Sequence, residues 1–495
     1  MSLLGIDLGT SVCKAAAFSS EGRLLASASR EYATHHPAPG YAELDSAEVW
    51  RKTRAIVSEV AGQTAGDPIR ALCVSSMGEA LVPVSRDRRL LANSILSSDA
   101  RGAEYAEALR RDFGEERFYR INPNVISPQY SLPKLMWIRD HEPELFGRAD
   151  RFLLWSDAVN FLLGCEPTCN NSHANRTLLF DLDANDWSDE LLAWAGLERG
   201  RFGRIVAGGE VVGEVSEQAA AELHLPKGVV VVAGGHDQCP NALGCGCIRA
   251  GTAVCGIGTY ECLTPVFAKP RDPLSMWRQK LNIEHHVLPG LYVAFLFNQS
   301  GSLVRWFRDT FAAGESGAGD IYARLNAEIP VEPTRLLVLP HFEPPPWPEY
   351  IPDTAGAIVG LRTGTRRGEI LKAIMEGATF HFVEGVDALR RMGVNTAEFV
   401  ASGGGAKSDA WLQIKADIFG APFVRLHNAE GGVTGAAMLA GMATGALAGA
   451  EEAVAAFVKR ERLFEPDSRR HAIYREQGAR FRELYPALAG LLKRL

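Results

Sequence analysis

The chain contains 495 residues, of which 46% are hydrophobic and 22% are charged, and its formal net charge is -7. At roughly 150 residues per domain this length predicts two or three domains, and the mild acidity without a basic stripe argues against a nucleic-acid partner. No run of 18 or more apolar residues occurs and Asp7 interrupts the short N-terminal apolar stretch, which excludes a membrane span and a secretory signal and predicts a cytoplasmic protein.

The nine cysteines do not indicate a disulfide framework, because they are few for so long a chain. Two pairs are close enough in sequence for a metal or redox site: Cys165 with Cys169, and Cys245 with Cys247. No second cysteine or histidine pair stands at zinc-ligand spacing, so we expect buried, reduced thiols.

The first 75 residues predict an α/β opening. Apolar runs at 3–8, 13–18 and 23–29 are separated by turns, which indicates three strands in a meander. A helix is predicted from Ser46 to about Gly62, and a buried strand at 69–75 follows it. Because a meander precedes the first helix, this is not the strand–helix–strand start of a dinucleotide-binding fold.

The second half begins with the same pattern. A buried strand at 229–233 ends at a glycine turn, and 252–264 then repeats the apolar run, glycine turn and apolar run of the N-terminus. Helical spacing predicts a long helix at 369–392 with Gly393 as its C-cap, and Ser408 is expected to cap a helix that ends before Gly420. We also expect a proline-rich surface connection at 343–348 and a charged amphipathic helix after about residue 450. The repetition predicts two lobes, 1–247 and 248–495.

A glycine turn follows the first predicted strand and is a candidate phosphate loop. Backbone N–H groups, hydroxyls and a cation for phosphate oxygens come from Gly9, Thr10, Ser11 and Lys14. The carboxylate of Asp7, just before the turn, can hold magnesium, usually through water. Taken alone the motif is weak, and a plain hairpin turn is an equal alternative.

Two further glycine turns belong to the second lobe. Gly256-Ile257-Gly258-Thr259 is similar to the first turn, and the triple glycine at 403–405 enters a helix, where a backbone can approach a ligand closely. The latter is not a P-loop, because Ala406 precedes Lys407-Ser408 where a P-loop has glycine. Three such turns together predict a nucleotide site.

Asp237 is a candidate general base. It follows the buried strand at 229–233, at the carboxyl edge of the predicted parallel sheet, where α/β proteins place their ligands. A carboxylate there can accept the proton of a substrate hydroxyl as the hydroxyl attacks phosphorus. The alternative is an aspartate that caps the following segment.

Five ordered segments resemble the FGGY family of carbohydrate kinases, over nearly the whole chain. They are Gly-Ile-Asp-Leu-Gly-Thr-Ser at 5–11, Tyr-Ser-Leu-Pro-Lys-Leu-Met-Trp at 130–137, Gly-His-Asp-Gln at 235–238, the segment from 356 to 376 that begins Gly-Ala-Ile-Val-Gly-Leu, and Ser-Gly-Gly-Gly-Ala-Lys-Ser at 402–408. The resemblance implies an α/β fold of two actin-like (ribonuclease H-like) ATPase domains that flank a deep catalytic cleft, with ATP and Mg²⁺ bound in the cleft.

The resemblance also implies roles for individual residues. Asp7 would lie near the metal, Thr10 and Thr259 near the transferred phosphoryl group, and Asp237 would be the general base. The nucleotide would be approached by Gly301, Gly404, Gly405 and Ala406. Closure of the lobes would exclude water and so limit wasteful ATP hydrolysis.

The residues after the strand at 69–75 touch the sugar in this family. Xylulokinases carry Met-His-Gly there and glycerol kinases Gln-Arg-Glu, whereas this chain has Met77, Gly78 and Glu79. The absent histidine argues against D-xylulose itself, and the absent arginine argues against glycerol. Glu79 would accept hydrogen bonds from two hydroxyls and repel an anionic aldonate. Asp99 resembles a second substrate-side residue, with a structural ion pair to Arg101 as the equal alternative.

The sequence thus predicts an ATP-dependent kinase that phosphorylates a hydroxyl of a ketose or polyol, with a pentulose such as xylulose as the first guess. The alternatives are a kinase for another polyol or a sugar acid, of the glycerol or gluconate type, and a non-catalytic actin-like regulator that senses sugar or nucleotide. The regulator would have no use for a base at Asp237, which favours the enzyme. Homodimerisation is a family-level expectation, and no nucleic-acid or membrane partner is expected.

Overall fold

The computed structural model describes residues 2–269, 273–315, 320–343, 351, 353–428 and 430–494. The proline-rich connection predicted at 343–348 lies, except for Glu343, outside these residues. None of the described helices combines the length and the hydropathy that a membrane span requires.

The first half of the chain alternates strands and short helices. Its strands are β1 (Ser2–Leu8), β2 (Val12–Ser19), β3 (Leu24–Glu31), β4 (Glu43–Leu44), β5 (Ile69–Ser76), β6 (Leu81–Val84), β7 (Ser94–Ile95), β8 (Arg151–Leu154), β9 (Thr168–Asn170), β10 (Phe180–Asp181), β11 (Asp186–Trp187), β12 (Arg204–Val206), β13 (Val211–Glu214) and β14 (Val230–His236). Its helices are α1 (Ser46–Gln63), α2 (Ala103–Phe113), α3 (Glu115–Ile121), α4 (Ser131–His141), α5 (Pro143–Arg148), α6 (Trp155–Leu162), α7 (Asn171–Arg176), α8 (Asp189–Ala195), α9 (Glu217–Leu223) and α10 (Gln238–Gly244).

The second half has fewer strands and longer helices. Its strands are β15 (Thr252–Ile257), β16 (Tyr260–Ala268), β17 (Asn282–His285), β18 (Leu291–Gln299), β19 (Leu337–Leu339), β20 (Ala357–Val359), β21 (Glu398–Ser402), β22 (Phe423–Leu426) and β23 (Arg460–Phe464). Its helices are α11 (Pro273–Arg278), α12 (Gly301–Phe311), α13 (Ile321–Ala327), α14 (Arg367–Arg391), α15 (Asp409–Phe419), α16 (Gly431–Ala443), α17 (Ala450–Phe457) and α18 (Ser468–Leu492).

The first half is built on a six-stranded sheet in the order β13-β14-β5-β1-β2-β3. Strands β1, β2 and β3 form the predicted antiparallel meander, and β1, β5 and β14 run parallel. The carboxyl ends of β1, β5 and β14 therefore meet at one edge, which is where ligands bind in such sheets. The predicted strands and the helix α1 are confirmed.

The second half is built on a seven-stranded sheet in the order β17-β18-β16-β15-β21-β22-β23. Strands β15 and β16 form an antiparallel hairpin, and β15, β21 and β22 run parallel. The sheet thus repeats the arrangement of the first one, an antiparallel opening followed by parallel strands. The predicted repetition is confirmed.

The predicted helices of the second half are confirmed, with one omission. Helix α14 is followed by Gly393 in the left-handed conformation (φ 84°), and Ser408 Oγ accepts a hydrogen bond from the N–H of Trp411 to cap α15. After residue 450, however, the chain forms α17, the edge strand β23 and α18, where the sequence predicted a helix alone. Strand β23 is mostly exposed and charged, so it has no apolar alternation to reveal it.

Helix α16, from the second half, packs against the first sheet and against α10. A Cβ on Gly435 would lie 1.8 Å from the backbone oxygen of Pro240, so no larger residue fits where the two helices cross. The same helix lies on β1, whose Gly5 leaves room for the oxygen of Val433. The two halves are therefore joined beside the edge where β1 and β14 end.

Candidate active site

The turn between β1 and β2 presents the predicted phosphate-binding groups. The N–H of Gly9 donates to the oxygen of Val12 at 2.9 Å, and the side chains of Thr10 and Ser11 are exposed. Lys14 Nζ lies 2.5 Å from Glu430 Oε2, which comes from the residue preceding α16. A phosphate would therefore meet this cation beside a carboxylate of the second half.

Asp7, at the end of β1, is the predicted magnesium residue. Ser75 Oγ donates to Asp7 Oδ1 at 3.0 Å, and Gly432 at the start of α16 lies so close that a Cβ there would be 2.8 Å from Oδ2. Burial, and then the negative charge of Asp237, raise the pKa of Asp7 to about 7. A divalent cation would relieve this repulsion between two carboxylates, so the donor set fits Mg²⁺.

Asp237, the predicted base, follows β14 directly. Its N–H donates to the oxygen of Ser76 at 2.9 Å, which fixes it at the end of β5 as well. It precedes α10 but makes no capping hydrogen bond to that helix, so the capping alternative is not supported. Its side chain is 29% exposed and Oδ1 accepts a hydrogen bond from Gln238 Nε2 at 3.1 Å. The carboxylate can therefore receive a proton from a bound substrate.

A cavity of about 530 Å³ gathers the glycine turns predicted to bind nucleotide in the second half. Its lining includes Gly258, Thr259, Gly301, Gly404, Gly405, Asp320, Ser408 and Trp411. Trp411 Nε1 is buried and, within the described part of the chain, has no hydrogen-bond partner. Ala406 is buried and is not among the residues that line the cavity. The cavity is large enough for a nucleoside, which is the kind of ligand expected there.

Gly301 is required by the turn that carries Gly258 and Thr259. Its N–H donates to the oxygen of Gly258 at 3.1 Å, and a Cβ on Gly301 would lie 2.2 Å from that oxygen. The N–H of Ser302 donates to the oxygen of Thr259 at 3.1 Å. The start of α12 thus holds the second phosphate turn in place.

The predicted acceptor residues lie at the end of β5. The N–H of Met77 donates to the oxygen of Leu8 at 2.8 Å, and Gly78 faces His236 and Arg176. Glu79 is buried and forms an ion pair with Arg176, a residue that the sequence did not single out. This ion pair offsets the charge of the Glu79 carboxylate, so it weakens the predicted repulsion of an anionic substrate, which stays a prediction.

A second buried pair, also missed from the sequence, lies beside Asp237. His236 Nδ1 is 2.5 Å from Glu284 Oε1 on β17, and His236 Nε2 is 3.4 Å from Asp237 Oδ1. Burial acts to lower the pKa of His236, but the negative charge of Glu284 has the larger effect, so the pKa of His236 is raised. Burial acts to raise the pKa of Glu284, but the pairing with His236 outweighs it, so the pKa of Glu284 is lowered. The proposed base, Asp237, therefore lies next to the imidazole of His236.

Asp99 has its carboxylate occupied by the protein. It pairs with the Arg101 guanidinium at 2.6 Å and accepts a hydrogen bond of 2.6 Å from the N–H of Ala42. These contacts favour the structural ion pair over direct binding of the sugar. The residue nevertheless lines a larger cavity, of about 960 Å³, together with Gln129 and Asn282.

No pattern in the sequence marks Arg176 or Glu284 as residues near the site. Arg176 ends α7, which consists of Asn171, Ser172, His173, Ala174, Asn175 and Arg176, every one of them buried. Such a polar run is typical of an exposed turn, and only its tertiary position shows that it faces the site. Glu284 lies 47 residues beyond Asp237 in a short strand, so their proximity could not be inferred from spacing.

The nine cysteines are free, and eight of them are buried. Neither pair that was close in sequence forms a metal-ligand group in the described part of the chain. The one group of metal-ligating side chains found there combines His236, Cys239 and Glu284, in which His236 and Cys239 each hydrogen-bond to Glu284 Oε1.

Comparisons with known proteins agree along most of the chain. Residues 2–244 match the FGGY family of carbohydrate kinases, N-terminal domain, and residues 255–444 match the C-terminal domain of the same family. The xylulose kinase of Bacillus subtilis (strain 168) is 29% identical over 487 residues, which cover 98% of this chain and 96% of the relative. A glycerol kinase of Bordetella parapertussis is 30% identical over 492 residues, 94% of this chain and 92% of its own.

The fold is also found among solved structures. The xylulose kinase from Rhodospirillum rubrum superposes with a TM-score of 0.90 at 28% identity, over 99% of this chain and 100% of that one. The predicted fold of two actin-like domains flanking a catalytic cleft is confirmed. The chain therefore belongs to the FGGY family of carbohydrate kinases, and it is an ATP-dependent phosphotransferase that acts on a small-molecule sugar or polyol.

Proposed function

We propose that the acceptor is a ketose or polyol, and in the first instance a pentulose such as xylulose. The observation that carries the proposal is the position of Asp237, which is close enough to Asp7 to raise the pKa of Asp7 and is hydrogen-bonded to Ser76, just before the acceptor residues Met77, Gly78 and Glu79. The residues proposed as base, acceptor site and metal site would thus follow or end three adjacent strands, in the order β14, β5 and β1. The pentulose is supported by full-length relatives named xylulose kinase at 26–29% identity.

One observation favours a second candidate, a sugar acid. Arg176 brings a guanidinium next to Glu79, where the sequence predicted only a carboxylate that accepts hydrogen bonds from hydroxyls. Arginine recognises carboxylates well because its donors match their geometry. Glu79 already occupies part of the guanidinium, so we place the aldonate second.

In the proposed mechanism ATP is a substrate whose base and ribose occupy the 530 Å³ cavity. The phosphates extend toward Thr259 in one half and toward Gly9, Thr10, Ser11 and Lys14 in the other. Asp237 accepts the proton of the acceptor hydroxyl, whose oxygen bonds to the γ-phosphorus as the bond to ADP breaks. Mg²⁺, when held at Asp7, neutralises charge on the transferred phosphoryl group.

The test is ADP release from Mg-ATP across a panel of ketoses, polyols and aldonates. We expect one pentulose to give the highest kcat/KM. An aldonate as the best substrate would replace the first proposal by the second. Silence across the panel with ATP binding intact would overturn the proposed acceptor class and point to an acceptor outside the panel.

Other expectations remain proposals. They are the division at residues 247 and 248, a homodimer, a cytoplasmic location and the absence of a nucleic-acid partner.

A further inference from the structure

The missing side chain at Gly78 leaves a small space beside two nitrogen atoms. A Cβ at this position would lie 3.1 Å from His236 Nε2 and 3.2 Å from Arg176 Nε. The backbone of Gly78 is not in the left-handed region, so the conformation does not require glycine. A side chain at position 78 would instead fill the space that His236 Nε2 and Arg176 Nε face.

Arg176 is held rigidly at this space. One terminal nitrogen of its guanidinium pairs with Glu79, and the guanidinium carbon lies 4.9 Å from the ring centre of Tyr130 and 5.7 Å from that of Phe295. These contacts fix the plane of the group and, with it, the direction of the Nε–H bond.

The Nε atom of Arg176 is buried and has no hydrogen-bond partner among the described residues. Arg176 itself is 9% exposed. A buried charged donor without an acceptor is costly, and folded proteins rarely leave one. An oxygen atom supplied by a ligand, in the space beside Gly78, would satisfy it.

The space adjoins the proposed base. His236 Nε2, which faces the space, is 3.4 Å from Asp237 Oδ1, and Glu284 holds the other imidazole nitrogen. A hydroxyl that gives its proton to Asp237 therefore has its neighbouring substituent near Gly78. In a vicinal diol or an α-hydroxyketone that substituent is an oxygen, one hydrogen-bond length from the reacting hydroxyl.

We propose that Arg176 determines acceptor specificity by donating its Nε–H bond to the oxygen adjacent to the reacting hydroxyl, with Glu79 as the residue that positions the guanidinium. The substrate class is then a sugar or polyol with vicinal oxygens at the phosphorylated end. The inference rests on the proposed function, because it requires an accepted sugar or polyol.

The experiment compares the best acceptor of the panel with its analogue deoxygenated at the adjacent carbon. In the unaltered enzyme the loss of one charge-assisted hydrogen bond should lower kcat/KM by about 10- to 100-fold. Arg176→Lys keeps the charge but removes Nε, so the variant should accept both compounds within about threefold of each other. The KM for ATP should stay within about twofold, because the nucleotide cavity is formed by other residues. Arg469→Lys, at an exposed arginine paired with Glu332, is the matched control and should keep the discrimination.

Gly78→Ala tests the same space with Arg176 intact. Its methyl group would stand at 3.0 to 3.2 Å from His236 and Arg176, so it should raise the acceptor KM by about tenfold and reduce the discrimination. Melting temperatures of the variants show whether they are folded, and Gly78→Ala alone decides the matter if Arg176→Lys does not fold. Unchanged discrimination in a folded variant, or an effect on ATP alone, overturns the inference. An unaltered enzyme that accepts nothing in the panel overturns the proposed function instead.

Discussion

At the scale of single residues, the proposed chemistry depends on two carboxylates, Asp7 and Asp237, and the charge of Asp237 disfavours the charge of Asp7. Asp7 lies near the end of β1 and Asp237 directly follows β14, two parallel strands on either side of β5, and the pKa of Asp7 rises to about 7 in response to burial and to Asp237. This arrangement costs stability in the absence of a cation. Function and stability therefore make opposite demands on Asp7.

Asp237→Asn tests the base. The amide keeps the shape of the side chain but cannot take a proton, so kcat should fall by about two to four orders of magnitude with the fold intact. Steady-state ADP release and a direct measurement of ATP affinity check the two parts of this expectation. Asp112→Asn, at an exposed aspartate beside Arg111, should leave kcat unchanged. Near-normal turnover of the Asp237 variant would remove this residue from its role.

Asp7→Asn should make the metal-free protein more stable at pH 8. The folded protein binds this proton with a pKa of about 7 against an ordinary value of 3.8, so stability falls as the pH rises from about 4 to 7 and stays reduced above. Removing the charge should raise the melting temperature by about 2 °C or more at pH 8 and leave it nearly unchanged at pH 4.

Magnesium supplies the control for this prediction. Excess Mg²⁺ should stabilise the unaltered protein at pH 8 but not the Asp7→Asn variant, which should also be inactive. Equal stabilisation of both proteins would show that the ion binds elsewhere.

The sequence identified residues that act through local motifs and missed those that act through distant contacts. Asp7 and Asp237 were predicted because a strand end or a glycine turn marks them, and Gly301 was predicted from the family resemblance alone. Arg176 was missed because its contact with Glu79 joins positions 97 residues apart. A buried ion pair of this kind leaves no periodic trace in the sequence.

At the scale of elements, a buried ion pair connects the second phosphate turn to α15. Lys415 Nζ lies 2.5 Å from Glu261 Oε1, and both side chains are fully buried. Ser300 Oγ donates to Glu261 Oε2 at 2.7 Å, next to Gly301. The pair thus links β16, the start of α12 and the helix that follows the 403–405 glycines.

Lys415→Met should destabilise the protein by about 3–5 kcal/mol, because it leaves Glu261 charged, buried and unpaired. Denaturant unfolding of the full chain measures the change in the free energy of unfolding. The double variant Lys415→Met with Glu261→Gln should recover much of the lost stability. If the single variant is as stable as the unaltered protein, Glu261 must be satisfied by other groups.

The hairpins and long helices were predictable because each is encoded within a few residues, by apolar runs, glycine turns and caps. Strand β23 was not, because it is an edge strand with three charged residues among five. Its place is set by pairing with β22. Local propensity is a weak guide to such a strand.

At the scale of the whole molecule, the two lobes were visible as a repeated pattern, but the joint between them was not. Helix α16 belongs to the second half by sequence and lies against β1 and α10 of the first. The residues of α16 are mostly small, which predicts that the helix packs closely against another element but does not indicate which one. Two residues at this joint contact the candidate site: Glu430 pairs with Lys14, and the backbone of Gly432 lies close to Asp7.

Gly435→Ala should weaken the joint and the reaction together. A methyl group would lie 1.8 Å from the oxygen of Pro240, a contact that α16 can relieve only by moving away from α10. Overpacking of this kind typically costs about 1–3 kcal/mol, and the shift would move Gly432 relative to Asp7. We therefore expect a lower melting temperature and a kcat reduced by about tenfold or more, since misplacement by about 1 Å costs up to about 100-fold.

Gly62→Ala, in α1 with no atom near its added Cβ, is the matched control and should keep both values or raise the melting temperature slightly. A Gly435→Ala variant with lower stability but full kcat would show that the joint supports the fold without positioning the reacting groups.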